Sequence, residues 1–171
     1  MKNDFKKGET SPGLVEFIEK IKKYNHEFFT KVLVDTKTKK VTLFSGKFYS
    51  SIDCEIGRNG SVLLKDSKEG DGKTPICSTR VRHIDMPTLR INNHKSAVFT
   101  KTLDLKINLG PCFICLYIPN IKTDKIRGIG FHGYCDDRDG LVPTDGCIRL
   151  SNADLLLIRK FFFKNLKIFI V

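Results

Sequence analysis

No stretch of this 171-residue chain stays apolar for the eighteen or so residues that a membrane-spanning helix requires. The opening MKNDFKKGETSPG is charged and carries no apolar h-region, so no secretory signal is legible there. Internal repeats, linkers and a second apolar core are also missing, which leaves one domain large enough to bury a substantial core. Strands and helices do not alternate in the βαβ manner, which excludes a doubly wound sheet. There is no basic helix interleaved with aromatics and no recognisable nucleic-acid motif. The formal charge of +11 therefore reads as a generally basic, solvated surface, with its lysines scattered from Lys6 to Lys164, and nucleic acid is not an expected partner. Such a balance also suits a polyanionic polymer such as cell wall.

Without a legible signal the six cysteines read as thiols rather than as three disulfides. Cys112 and Cys115 form a CxxC, but their context, PCFICLYIP, has strand character. Positions three apart on a strand face opposite sides, so this pair is expected to pack in the core rather than share a metal.

Along the chain, residues 1–10 form a charged lead-in. Ser11-Pro12 then offers a helix start, and Leu14, Val15, Phe17, Ile18 and Ile21 give a helical apolar stripe over about 12–24. KVLVD and KVTLFSG around DTKTKK predict a β-hairpin. SIDCEIG continues as a strand, and 58–75, rich in Gly, Lys and Asp, is expected as a long surface loop. ICSTRVRHI predicts a strand, weak strands follow near 88–91 and 96–100, and CFICLYI is expected at the centre of the sheet. IRGIGFHG brings a strand to His132. Ser151 caps a helix from 153 to about 163, and LKIFIV closes the chain as a strand. The sum is a mainly β domain of sandwich or barrel-like build with about two short helices.

Chemistry concentrates in GIGFHGYCDDRDGLVPTDGCIRL, residues 128–150. His132 and Cys147 stand fifteen positions apart, with a polar loop between them that can fold the chain back on itself. A thiol beside an imidazole is the minimum apparatus for nucleophilic acyl transfer. Gly146 allows a sharp turn before the thiol, which can aim the Gly146 and Cys147 amides at one point as an oxyanion hole. Arg149, two residues on along a strand, shares the thiol's face and can favour the thiolate or hold a substrate carboxylate. Thr144 and Asp145 are turn residues suited to tying this corner together. His132 would take the thiol proton and return it to a leaving amine, and a backbone carbonyl would serve to orient its ring. His26, His83 and His94 lack such a setting.

Other readings compete with this one. The bland one is a buried cysteine and a core histidine flanking a loop, against which the glycine, the polar turn and the arginine around the thiol all argue. A zinc site from His132, Cys135 and Cys147 lacks a fourth ligand. The acidic Asp136, Asp137 and Asp139 match a calcium loop only in part.

His132-Gly133 followed by Thr144-Asp145-Gly146-Cys147-Ile148-Arg149-Leu150 resembles the signature of the YkuD-type L,D-transpeptidase catalytic domain. IGRNG…KEGDGKTPI (56–76) is similar to that family's earlier TP-containing loop. The resemblance covers about 31–171, taken as the catalytic domain, with 1–30 as lead-in and helix. Cys77 stands where the family has a glycine after Thr74-Pro75, and Asp145 occupies a variable position. The GDGKTP form looks closer to a branch containing hydrolases.

The resemblance implies a β-sandwich cysteine enzyme of bacterial cell-wall metabolism, working in the cell envelope on peptidoglycan stem peptides, with neither metal nor organic cofactor. The absence of a legible leader also fits a trimmed chain, a cytoplasmic protein or a delivered effector. Cys147 would attack the third residue of a tetrapeptide stem and expel D-alanine. The acyl group would pass to a neighbouring amine, giving a 3-3 cross-link. His132 would move the proton, with the Gly133 carbonyl as orienter, and Thr144, Asp145, Arg149 and Phe131 would border the substrate. Hydrolysis by an L,D-carboxypeptidase or amidase is the alternative on the same scaffold, and a non-catalytic basic binding module is the alternative from another class.

Overall fold

The computed structural model describes residues 10–85, 109–110, 112–123, 125–133 and 143–171. The expected strands near 88–91 and 96–100, together with His94, Cys135 and the acidic Asp136, Asp137 and Asp139, lie outside them.

Strand-forming residues dominate, and alternation of apolar and polar positions lets each outer strand bury one face. Lys31–Asp35 (β1) and Lys40–Ser45 (β2) form the expected antiparallel hairpin, and Phe48–Asp53 (β3) adds a third strand. Ser61–Leu63 (β4) is a short strand inside the segment expected as loop, and it pairs in parallel with the start of Thr74–Asp85 (β5). Its single partner makes it hard to read from periodicity, since three residues cannot establish alternation. Phe113–Leu116 (β6), Gly130–His132 (β7), Ile148–Arg149 (β8) and Lys167–Ile170 (β9) complete the sheet. The order is β3-β2-β1-β9-β5-β6-β7-β8.

The long strand β5 holds the architecture together. Its first half pairs with β9 through Cys77–Arg80 and its second half with β6 through Val81–Asp85, with a register shift between Val81 and His83. A bulge bends a strand and adds twist, so one strand serves two wings of an open mixed sheet. All four residues of β6 are buried, as its apolar run implies for a central strand, and Cys112 and Cys115 are both buried in the core. The two ends of the sheet path approach each other. Just beyond β3, Glu55 exchanges backbone hydrogen bonds with Arg149 of β8 (2.9 and 2.8 Å), and the Thr144 carbonyl accepts from the Arg58 amide at 2.7 Å. That contact gives the sheet its barrel-like character and holds the residues on either side of Cys147.

Two helices flank the sheet. Leu14–Lys23 (α1) buries Leu14, Phe17, Ile18 and Ile21 in the same core as the strands. The expected start at Ser11-Pro12 is corrected: the helix begins after Gly13, and Ser11 is committed elsewhere. Its amide and hydroxyl both donate to the Asp154 carboxylate, at 2.7 and 2.6 Å. Asn152–Ile158 (α2) has Ser151 as its N-cap, whose hydroxyl accepts from the Asp154 amide at 3.1 Å. Asp154 thus ties the entry of α1 to the first turn of α2. A short 3-10 turn, Arg159–Phe161, follows and leads toward β9.

Candidate active site

The corner that carries Cys147 is built from three short segments that meet edge on. β7 and β8 run parallel, with Phe131 opposite Ile148 and His132 opposite Arg149. Paired residues share a face, and alternate residues along a strand share it too. Gly130, His132, Cys147 and Arg149 therefore line one side, while Phe131 and Ile148 point to the other. Gly130 is a requirement of space: a Cβ there would lie 2.3 Å from the Ile114 carbonyl. Its missing side chain lets β7 lie close against β6.

The thiol is partly exposed, and it donates to the Gly128 carbonyl at 3.6 Å. Desolvation around the sulfur pushes it up to about 11, partly offset by the Gly130 amide and the Arg149 guanidinium, while Cys115 and Asp145 push the same way as burial. His132 is 3% exposed, and its Nδ1 lies 2.7 Å from the Gly133 carbonyl. A carbonyl only accepts, so Nδ1 carries the proton and Nε2 holds the lone pair. Burial, reinforced by Arg149, holds the ring down to about 4 against the opposing pull of the Gly133 carbonyl. Both groups are therefore neutral at rest. Arg149 is itself buried and donates to the Pro143 carbonyl at 3.3 Å. Its charge acts on thiol and imidazole together.

Several expected residues take different places. Phe131 is fully buried and packs its ring 5.7 Å from that of Phe162, so it belongs to the core and does not border substrate. The physical reason is strand alternation, which sends it to the face opposite His132. Thr144 is buried and works inside the turn: its hydroxyl donates to the Cys147 carbonyl at 2.6 Å and accepts from the Gly146 amide at 3.1 Å. That engagement removes the Gly146 amide from the expected oxyanion hole and leaves the Cys147 amide, which makes no backbone hydrogen bond among the described residues. Asp145 is exposed and forms an ion pair with Arg58.

Sequence reasoning missed the support beneath this corner. Asp71 accepts from the amides of Lys68 (2.8 Å) and Lys73 (3.0 Å) and lies 3.7 Å from the Arg127 guanidinium. Burial would raise its carboxyl, but these amides and Arg127 outweigh it and hold the group below the usual carboxylate value. Arg127 also donates to Ser67. The KEGDGKTP segment is thus a folded cradle, and its signal was the glycine-flanked Asp71, an Asx-type turn former.

The lowered His132 value has a stability consequence. Below the free histidine value of 6.5 the unfolded chain gains a proton that the folded chain refuses until about 4. Stability is therefore whole above pH 6.5 and falls as pH drops toward 4, by about 3 kcal/mol at 1.36 kcal/mol per unit. Urea titrations from pH 7 to 4 should show this loss, reduced in His132→Gln.

The family model described as YkuD, L,D-transpeptidase catalytic domain, matches residues 30–162. No curated protein matches the chain. Among solved structures, the helical cell shape determining protein Pgp2 of Campylobacter jejuni is 19% identical over 92% of this chain and 54% of its own, with a TM-score of 0.55. An L,D-transpeptidase of Enterococcus faecium, solved as a point mutant, is 10% identical over 84% of this chain and 50% of its own, with a TM-score of 0.54. L,D-transpeptidase 3 of Mycobacterium tuberculosis, in complex with a faropenem-derived adduct, is 12% identical over 81% and 58%, with a TM-score of 0.51. These likenesses concern the fold, and the chain spans about half the length of the structures it matches.

Proposed function

Because the chain belongs to the YkuD family of L,D-transpeptidase catalytic domains, whose model matches most of its length, we propose that it is a cysteine acyltransferase acting on peptidoglycan stem peptides. The observation that carries this reading is the neutral thiol of Cys147 on the same sheet face as His132, whose ring is fixed by Gly133 with its basic Nε2 free of that bond. Cys147 Sγ attacks the carbonyl of the third stem residue while His132 Nε2 takes the thiol proton. The carbonyl oxygen becomes an oxyanion that the Cys147 amide can receive. Collapse breaks the C–N bond, and His132 returns the proton to the departing D-alanine amine. The resulting thioester passes its acyl group to a side-chain amine of a neighbouring stem, or to water.

The basic surface, with a formal charge of +11, suits contact with an anionic wall polymer. A substrate of this kind places the working compartment at the cell envelope. Among the described residues no helix is long and apolar enough to cross a membrane.

The test is incubation with disaccharide-tetrapeptide and mass analysis of the products. Released D-alanine with a cross-linked dimer is the expected outcome, and tripeptide without dimer assigns the hydrolase. No D-alanine release by the intact protein would sink both.

A further inference from the structure

We propose that Thr74, 72 residues before Gly146 in the chain, is a positioning residue that aims the Cys147 amide at the developing oxyanion. This rests on the reading of Cys147 as the nucleophile. Thr74 opens β5, and none of its surface is exposed. Its Oγ1 lies 2.8 Å from the Gly57 amide and 3.1 Å from the Gly146 carbonyl. An amide can only donate and a carbonyl can only accept, so the hydroxyl proton goes to Gly146 and a lone pair receives Gly57. One side chain thereby joins the end of the segment that follows β3 to the turn before the thiol.

The consequence follows from the peptide plane. The Gly146 carbonyl and the Cys147 N–H belong to one trans unit and point in opposite directions. Anchoring the carbonyl downward on Thr74 turns the amide upward, away from the cradle and toward the face that carries the sulfur. Two neighbouring backbone groups of the corner are engaged from the other side: the Gly146 amide and the Cys147 carbonyl both meet the Thr144 hydroxyl. Two hydroxyls, one on each side of the turn, thus fix the corner so that the Cys147 amide, which has no backbone acceptor among the described residues, faces the reacting carbon. The floor is rigid because Asp71 holds the Lys73 amide at 3.0 Å, and the Lys73 carbonyl lies where a Cβ on Gly146 would come within 2.8 Å.

An oxyanion donor acts on acyl transfer and leaves simple alkylation alone, since a displacement at an sp³ carbon forms no tetrahedral oxyanion. This separates positioning from general structural support. The experiment compares the intact protein with Thr74→Val, Thr74→Ala and Thr74→Ser, following Cys147 by intact mass with two probes, a p-nitrophenyl acyl ester and iodoacetamide. Removing one oxyanion-hole donor costs about 10² to 10³ in rate, so Thr74→Val and Thr74→Ala should lose acylation on that scale. Their alkylation should stay within about threefold of the parent, because its thiol environment is unchanged. Thr74→Ser keeps the donor and should restore acylation. Acylation and alkylation falling together, unchanged acylation in Thr74→Ala, or failure of Thr74→Ser to rescue would each overturn the proposal. If Thr74→Val does not fold, the Ala and Ser pair decides. Absence of ester acylation at Cys147 in the parent chain would remove the nucleophile reading and this assignment with it, whereas acylation by the ester without turnover of stem peptides removes only the substrate.

Discussion

Cys147→Ala is expected to lower D-alanine release by about 10⁴-fold or more, and His132→Gln by about 10² to 10⁴, with the double variant no worse than Cys147→Ala alone. The non-additivity follows from the two groups forming one unit: without the thiol there is no proton for His132 to take. The shape of the pH profile distinguishes this pair from a preformed ion pair. The thiol is pushed up to about 11 and the imidazole down to about 4, so the thiolate is scarce near neutrality and the proton must leave in step with attack. Turnover should therefore hold down to low pH, failing only as His132 gains its proton toward 4. Iodoacetamide alkylation of free enzyme should instead keep rising through pH 9 and 10 toward the thiol's own value. Arg149 lowers both groups. Arg149→Met should move both limbs upward, making the thiol harder to ionise and the base easier to protonate. A profile with a thiolate plateau near neutral pH, or an unaffected Cys147→Ala, would contradict the neutral pair.

Cys147 and His132 stand out in the sequence as a candidate pair because each sits in a glycine-marked turn whose chemistry is local. The contact of His132 with Gly133 also needs only the neighbouring residue, whose carbonyl lies 2.7 Å from Nδ1. What could not be read was anything set by long-range pairing. Phe131 looks like a neighbour of the site in sequence, yet one step along a strand reverses its direction and puts it against Phe162. β4 is invisible because it exists through its pairing with the start of β5, Ser61 opposite Thr74, rather than through any pattern of its own. Ser11 looked like a cap by composition, but Asp154 lies 143 residues away and claims it. Distance in sequence hid Thr74 as well. Its TP dipeptide marked a family loop, while its hydrogen bond to Gly146 spans 72 residues and follows only once β5 passes beneath the turn.

Gly146→Ala is expected to damage acylation and stability together. Gly146 has φ of 127°, where a side chain is strained whatever the space around it, at about 1–3 kcal/mol. The added Cβ would also meet the Lys73 carbonyl at 2.8 Å, and that atom is backbone, so it cannot swing aside. The Asp71 cradle beneath it resists moving, so the turn must yield instead. Rotating the turn breaks the Thr74 bond at 3.1 Å and turns the Cys147 amide out of line. Loss of ester acylation should therefore exceed about 10²-fold, accompanied by a fall in Tm of roughly 5 to 10 °C. Gly13→Ala supplies the control. Gly13 has φ of 76° but nothing within 4 Å of its would-be Cβ, and it caps α1 away from the cysteine. It should lose stability through strain alone and keep its acylation rate. If both variants lose Tm but retain acylation, the turn has no part in catalysis. If only Gly146→Ala loses acylation, the conformation of this one residue is what converts a thiol on a sheet edge into a nucleophile facing its oxyanion donor.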